Sequence, residues 1–181
     1  MKTCCATIGR SRTDDAMIRV EPLEDSPQAD AALEALLHET YVRGGFTDAS
    51  LADTLFAAAV RARGEVLAAR DRTDSLLGTV TLVAPGSPAT RLATAEEFEL
   101  HLLCVKPEAR RRGIGEALVR DALQRAKAEG ARGVVLWTQP TMDSAQRLYR
   151  RCGFERDASA DFSRGARQFL VHRYAFASTV R

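Results

Sequence analysis

Hydrophobic positions recur along this chain with two different periods, which predicts alternating helices and strands. A period near 3.6 residues marks one face of a helix, whereas strict alternation marks a strand with one buried face. Helical spacing predicts helices over four ranges: 30–42, from Asp48 or Ser50 to Arg63, 113–129 and 144–152. Strand patterns cover six ranges: 18–22, 65–70, 76–84, 97–105, 134–138 and 167–176. This order predicts one α/β or α+β domain with a mixed sheet.

The strand predicted over 97–105 has the clearest alternation. Phe98, Leu100, Leu102 and Cys104 occupy one set of positions, and the residues between them include Glu99, His101 and Leu103. Because successive side chains of a strand point to opposite faces, the pattern predicts the first set on one face and the second set on the other.

Composition sets the class of protein. The chain has 181 residues, 45% of them apolar and 28% charged, with a net charge of +2, which fits one globular domain and excludes a strong global field for nucleic acid. The first 16 residues carry no apolar run typical of a secretory signal, so we expect a flexible extension over 1–16, a folded domain over 17–181 and a cytoplasmic protein. The four cysteines lack zinc-ligand spacing, so no metal is expected.

The stretch that carries chemistry is Arg110-Arg111-Arg112-Gly113-Ile114-Gly115, between a predicted strand and a predicted helix. Glycines let a ligand approach the backbone closely, and the free amides at a helix N-terminus bind phosphate. The run does not fit the dinucleotide fingerprint, since Leu118 stands where a third glycine is needed, nor the P-loop, since Gly115 is followed by Glu116. Because 23 of the 26 basic residues are arginine, the arginine cluster alone is weak evidence.

Three motifs in register resemble the GNAT superfamily of acetyl-CoA-dependent N-acetyltransferases. Residues 110–115 match its R/Q-x-x-G-x-G/A signature, and residues 99–107 are similar to its fourth strand. The sequence from Ala145 to Phe154, AQRLYRRCGF, resembles its A-x-x-L-Y-x-x-x-G-F helix and turn. The resemblance implies a single GNAT-like domain whose mixed central sheet splays between the fourth and fifth strands, flanked by about four helices.

The resemblance also implies where acetyl-CoA binds and how the acetyl group moves. Backbone groups of Leu103, Cys104 and Val105 would pair with the pantetheine arm, and an amide there would polarise the thioester carbonyl. The pyrophosphate would lie in the loop formed by Arg110, Arg111, Arg112, Gly113, Ile114 and Gly115. Transfer to a primary amine would be direct, with Tyr149 as general acid to the CoA thiolate and Glu99 as general base, directly or through water.

Other residues near these motifs have simpler readings. His101 and His172 are expected to be ordinary strand residues, Trp137 to fill a core, and Cys104 to be a small apolar residue rather than a nucleophile. Many family members carry an asparagine three residues before the alanine of the last helix, and here that position is Met142. Gln139 and Asp143 are both candidates to replace it.

The acceptor is less defined by the sequence. In the family the first two helices wall the substrate side, so Tyr41 and Phe46 are expected contacts, with Arg43 and Asp48 beside them; for Asp48 we favour a helix cap. The acceptor is expected to be a small-molecule or peptide amine rather than nucleic acid or a membrane, and a homodimer is expected from the resemblance alone. A non-catalytic acyl-CoA-binding regulatory module is the alternative, and nucleotide binding at the same loop is a third reading.

Overall fold

The computed structural model describes residues 18–177, without the side chains of Ala49 and Ser50. Eight strands are present: β1 (Arg19–Pro22), β2 (Glu65–Arg70), β3 (Leu76–Val83), β4 (Glu97–Val105), β5 (Gly133–Thr138), β6 (Glu155–Arg156), β7 (Phe162–Arg164) and β8 (Arg167–Ala175). Four α-helices lie between them: α1 (Pro27–Leu37), α2 (Ala57–Arg61), α3 (Ile114–Ala128) and α4 (Asp143–Arg151). The predicted flexible extension over 1–16 lies outside the described residues.

The strands form one mixed sheet in the order β1-β2-β3-β4-β5-β8-β6, with β7 paired to β8. Only the central pair, β4 and β5, runs parallel among the described strands. Its pairing extends from Glu97↔Gly133 to Leu100↔Leu136 and goes no further, although both strands continue. The sheet therefore opens in its middle, at the splay that the sequence predicts.

Two hydrophobic cores hold the sheet between layers of helices. One core packs α3 and α4 against the sheet through Ile114, Leu118, Val119 and Leu136. The other packs α1 and α2 against the sheet, with Leu33, Leu37 and Val60 from the helical layer meeting Val66 and Ala68 of β2. No helix in the described part of the chain is long and apolar enough to span a membrane.

The first two helices differ from their predicted ranges. Helix α1 begins earlier than residue 30, because Ser26 caps it by accepting a hydrogen bond from the amide of Ala29 at 3.1 Å and Pro27 follows at its first position. It continues as a π-helix over His38–Arg43. The second predicted helix is divided at Phe56, which is extended, into a 3₁₀-helix (Ala49–Leu55) and α2. The carboxylate of Glu34, on α1, accepts a hydrogen bond from the amide of Ala57 at 2.8 Å and so caps the N-terminus of α2.

A bulge in β4 overturns the predicted alternation along that strand. Thr81 pairs with His101 and Thr79 with Cys104, so three steps along β4 match two along β3. The extra residue is accommodated at Leu102, whose φ is +53°. Phe98 and Leu100 face the α3 core, but after the bulge that face belongs to Leu103 and Val105, while Leu102 and Cys104 face the α1 core. The predicted grouping of Leu102 and Cys104 with Phe98 is therefore wrong.

Candidate active site

A cleft with a volume of about 1540 Å³ opens where β4 and β5 diverge. His101 to Val105 line one wall from β4, and Trp137 and Thr138 line the other from β5. One end of the cleft lies at the N-terminus of α3. The other end, which we call the acceptor end, is lined by Arg63 and by residues from three segments: 40–55, 88–91 and 164–169.

The N-terminus of α3 has the features of a phosphate-binding site. Gly113 caps the helix with φ of +81°, a conformation that favours glycine, and no side chain bonds to the first-turn amides. Gly115 is constrained by space instead, because a Cβ there would lie 3.0 Å from Cδ2 of Leu148 on α4. The first turn of α3 therefore offers amides and the positive end of the helix dipole to the cleft.

Most residues of the predicted cofactor site line this cleft. Leu103, Cys104, Val105, Gly113, Ile114 and Gly115 all do, together with Arg110 and Arg111, whereas Arg112 lies outside the lining. The Nε of Arg110 also donates to the carbonyl of Val105 at 3.3 Å. Helix α4 adds Arg147 and Arg151, which the sequence reasoning missed, although their spacing of four residues puts them on one helical face.

Tyr149 projects from α4 into the cleft lining and is almost completely buried. Its ring lies 5.9 Å from the ring of Phe154 and 6.1 Å from that of His172, measured between centroids. Burial raises the pKa of the Tyr149 hydroxyl well above its ordinary value, with a smaller contribution from Cys152. The phenol is therefore protonated throughout the physiological pH range and can act only as a proton donor from its resting state.

Glu99 is fully buried and does not line the cleft. Its carboxylate accepts hydrogen bonds from three consecutive backbone amides, those of Arg91, Leu92 and Ala93, at 2.8 to 3.2 Å. Burial alone would raise the pKa of Glu99, but the hydrogen bonds from His101 and these amides outweigh it, so that the pKa is lowered. The carboxylate is thus a weak base, held in place by the loop before β4.

His101 connects this carboxylate to the cleft. Its Nε2 lies 2.5 Å from Oε1 of Glu99, and its ring contacts Trp137 edge-on with centroids 4.7 Å apart. His101 is buried and lines the cleft, as does Trp137. The expectation that Trp137 fills a core and His101 is an ordinary strand residue is therefore incomplete, because the splay turns both toward the opening. His172 lies outside the cleft lining, buried, with its Nδ1 unpartnered.

Cys104 lines the cleft but is poorly suited to act as a nucleophile. It is buried, and its Sγ lies 3.2 Å from the hydroxyl of Thr79. Burial raises the pKa of the Cys104 thiol to about 11. Since the thiolate is the reactive form, this cysteine is inert near neutral pH.

The acceptor end includes the two predicted substrate contacts. The hydroxyl of Tyr41 donates to the carbonyl of Leu103 at 2.9 Å, and the carbonyl of Phe46 accepts from Nε2 of Gln139 at 2.7 Å. Both Tyr41 and Phe46 line the cleft. Arg43 does not, and pairs with Glu39 instead.

The expectation that Asp48 caps a helix is changed by the structure. Asp48 precedes the 3₁₀-helix but makes no cap bond with its side chain, and its carboxylate pairs with Arg167 at 2.8 Å.

The position where many family members carry an asparagine lies in the cleft. Met142 lines it, and its Sδ accepts from the hydroxyl of Thr138 at 3.2 Å. Gln139 contacts Phe46 and Arg167, so its amide is already engaged on the acceptor side.

Several lining residues have no counterpart in the sequence reasoning. At the acceptor end these include Thr40, in the π-helix that continues α1, and Arg63, in the turn after α2. Neither belongs to a motif, so no local signal marked them. Thr90 and Arg91 lie in the loop over 85–95, which the sequence predicts to frame the cleft, and both line it. Among residues 18–177 no group of three or more His, Cys, Asp or Glu residues is arranged to hold a metal ion.

Comparison with known proteins finds acetyltransferases that are similar to large parts of this chain. A family model described as the acetyltransferase (GNAT) family matches residues 30–154. A mycothiol acetyltransferase from Cellulomonas flavigena is 41% identical over 97 residues, 52% of this chain and 27% of that protein. The human N-acetyltransferase 8 is 32% identical over 114 residues, 63% of this chain and 49% of that protein. The matched region thus spans about half or less of these relatives' length.

Solved structures share the fold over nearly the whole chain. A putative GNAT-family acetyltransferase from Desulfovibrio desulfuricans superposes with a TM-score of 0.68 and 19% identity, covering 88% of this chain and 99% of that one. A GNAT-family acetyltransferase from Brucella melitensis, in complex with acetyl-CoA, has a TM-score of 0.59 and 20% identity, covering 91% and 92%. The predicted fold class, a single GNAT-like α/β domain whose mixed sheet is flanked by about four helices, is confirmed, and the structure adds that β4 and β5 run parallel.

Proposed function

This chain belongs to the acetyltransferase (GNAT) family, and from that membership we propose that it transfers the acetyl group of acetyl-CoA to a primary amine. The observation that carries the proposal is the cleft itself. It joins a helix N-terminus without a side-chain cap, an open strand edge and a buried tyrosine in one continuous space. The acceptor in this proposal is a small-molecule or peptide amine, and the compartment is the cytoplasm.

Acetyl-CoA would lie across the splay. Its pyrophosphate would accept hydrogen bonds from the amides around Gly113 to Gly115, with Arg110 and Arg111 supplying positive charge. The pantetheine arm would pair with the backbone of Leu103, Cys104 and Val105, since β5 has turned away from this edge of β4. An amide of this segment would also polarise the thioester carbonyl as charge develops on its oxygen.

The amine must lose a proton during transfer, and we assign this step to Glu99 acting through His101. With Nε2 of His101 against Glu99, its Nδ1 is the nitrogen left to accept the proton, directly or through water. The buried carboxylate would then stabilise the imidazolium, as an acidic partner does beside a catalytic histidine. Glu99 is thus retained as part of the base, as a positioning residue rather than the group that meets the substrate.

The acetyl transfer itself would proceed without a covalent enzyme intermediate. The neutral amine attacks the thioester carbonyl, a tetrahedral intermediate forms, and the C–S bond breaks as Tyr149 donates its proton to the departing thiolate. Solvent then returns a proton to Tyr149, and the products are the N-acetylated amine and CoA thiol. The inert thiol of Cys104 favours this direct route over an acetyl-cysteine intermediate.

Release of CoA thiol, measured over a panel of primary amines, tests the proposal. We expect turnover with at least one amine, and a decrease in kcat of about 10²- to 10⁴-fold in Tyr149→Phe and in His101→Gln, since general acid–base catalysis contributes that range. A matched control is Phe154→Leu, which alters packing beside Tyr149 without removing a proton donor. No turnover on any amine, or variants as fast as the wild type, would contradict the proposal.

A non-catalytic acyl-CoA-binding regulatory module is the second candidate, and Met142 is the observation in its favour. The thioether stands where many family members have an asparagine, and its sulfur is engaged by Thr138. This candidate predicts tight acetyl-CoA binding with no transfer to any amine.

A further inference from the structure

Two arginines at the acceptor end have no acidic partner. Arg63 and Arg91 both line the cleft, from the segment after α2 and from the loop before β4. The guanidinium of Arg63 donates to the carbonyl of Thr54 at 2.6 Å, a neutral acceptor. Within the part of the chain that the structure describes, no carboxylate oxygen lies within 4.0 Å of either guanidinium.

A third arginine at the acceptor end, Arg167, differs from these two because it has an acidic partner. Arg167 also lines the cleft, but Asp48 neutralises it at 2.8 Å, and its Nη1 donates to the carbonyl of Gly45 and to the side-chain oxygen of Gln139. Arg63 and Arg91 lack such a carboxylate although they interact with each other. Burial and the positive charge of Arg91 together lower the pKa of Arg63. Two like charges at a partly desolvated site are costly unless an anion offsets them.

The abundance of arginine in this chain does not account for the pair. A surplus arginine on a solvated face has water as its partner and costs little. Arg91 is exposed, but Arg63 is only partly exposed, and both guanidinium-bearing residues line the same cleft. The hydroxyl of Thr40, which lines the same end, is buried without any hydrogen-bond partner. The acceptor end therefore has two cations and an unused hydroxyl, and among the described residues its one carboxylate, that of Asp48, is paired with Arg167 instead.

The loop before β4 connects this cationic pair to the centre of the cleft. The backbone amide of Arg91 donates to the carboxylate of Glu99, which in turn contacts Nε2 of His101 at 2.5 Å. Because Arg63, Arg91 and His101 line the same cleft, an anion bound by the two arginines would belong to the same small molecule as the amine being acetylated.

We propose that the acceptor is an amine that also carries a carboxylate, and that Arg63 and Arg91 bind this carboxylate while the amine faces His101. Arginine forks bind carboxylates with paired hydrogen bonds, which orients the ligand as well as holding it. The inference rests on the proposed acetyl transfer and specifies its substrate class. It predicts discrimination against amines that lack the negative charge.

Matched pairs of acceptors test the inference. Each α-amino acid and dipeptide of a panel is assayed as the free acid and as its C-terminal amide, with acetyl-CoA saturating, and kcat/KM is compared within each pair. We expect the best free acid to exceed its amide by at least about tenfold, or about 1.4 kcal/mol, because the amide loses the charge-assisted hydrogen bonds to the arginines. The amide has the less basic amine, so amine reactivity alone would give the opposite order.

Variants identify the groups responsible. Arg63→Gln and Arg91→Gln should each reduce the acid-to-amide ratio at least about fivefold, mainly through KM for the acid, while Arg63→Lys should retain part of it. Arg132→Gln is the control, because Arg132 is exposed, pairs with Glu96 and lies outside the cleft lining. Unaltered acetyl-CoA binding in every variant shows that the fold and the cofactor site are intact.

The outcomes separate this inference from the proposed function. Turnover with amides or simple amines equal to or above that with free acids, or an acid-to-amide ratio unchanged in Arg63→Gln, overturns the carboxylate site. If no amine is turned over, the proposed acetyl transfer is wrong. The anion site can then still be tested by comparing how much N-acetylated amino acids and their amides raise the melting temperature of the protein. Stabilisation by the acids alone, lost in Arg63→Gln, supports it, whereas equal stabilisation by both overturns it.

Discussion

A carboxylate shielded from solvent keeps its charge only where donors surround it, and Glu99 meets three backbone amides and a histidine. This arrangement fixes the loop over Arg91 to Ala93 as firmly as it fixes the side chain. It also explains why Glu99 is better suited to position His101 than to take a proton from an amine. The same loop carries Arg91 to the acceptor end, so one buried anion positions both the proposed base, His101, and one arginine of the cationic pair.

Replacing this carboxylate should reduce stability in a pH-dependent way. The pKa of Glu99 in the folded state is below its ordinary value of about 4.3, so its contribution is complete above that value and is lost as pH falls through the folded-state pKa. We expect Glu99→Gln to lower the free energy of unfolding by about 2 kcal/mol at pH 7, since Gln cannot accept from all of these donors. The difference from wild type should diminish below about pH 4.

Urea titrations at pH 7 and near pH 3.5 measure this difference, with Glu96→Gln as the control from the same segment. Glu96 is exposed and pairs only with Arg132 among the described charged residues, so its loss should cost less than about 1 kcal/mol at either pH. A Glu99→Gln variant as stable as wild type at pH 7, or a difference that does not change with pH, would contradict the buried-anion account.

At the scale of elements, the N-terminus of α3 is the part of the site that rests most on backbone geometry. Gly113 and Gly130 flank this helix with the same φ of +81°, and a Cβ at either position would meet nothing within 4 Å. Alanine at either glycine therefore introduces similar backbone strain and no clash. Only Gly113 stands beside the proposed pyrophosphate.

We expect Gly113→Ala and Gly130→Ala each to lower the free energy of unfolding by about 1–2 kcal/mol, the cost of a left-handed residue with a Cβ. Calorimetric titration with CoA should then distinguish them, with the dissociation constant raised about tenfold or more in Gly113→Ala and unchanged in Gly130→Ala. Equal CoA affinities in the two variants would contradict the assignment of the pyrophosphate to this turn.

The periodicity of hydrophobic residues predicted the regular helices and strands well. It missed irregularities that arise from contacts between elements. The bounds of β2 and β4 match their predicted ranges, because alternation and Pro107 are local signals. The bulge at Leu102 depends on the pairing of β4 with β3, which no single strand records. The break at Phe56 likewise depends on a carboxylate that α1 supplies to the start of α2. The start of α1, in contrast, could have been predicted from the sequence, because Ser26 followed by Pro27 is a local N-cap signal. Helical periodicity alone placed that start too late.

At the scale of the whole molecule, the cofactor end and the acceptor end of the cleft differ in how they are encoded. The cofactor end is built from contiguous motifs within residues 99–154, which is why sequence resemblance identified it. The acceptor end combines Arg63, Arg91 and residues 164–169, which meet only when the sheet has formed. Under the proposed function, acceptor specificity is therefore a property of the assembled fold, which short motifs do not record.

Direct acetyl transfer from acetyl-CoA to an amine in this cleft is the step on which the proposed function depends. It can be followed by mass spectrometry of both protein and amine, after the protein is mixed with acetyl-CoA and the best acceptor of the panel. We expect the amine to gain one acetyl group, CoA thiol to appear in equal amount, and the mass of the protein to stay unchanged. Intact acetyl-CoA with every amine, or acetyl groups that accumulate on Cys104 before reaching the amine, would contradict it.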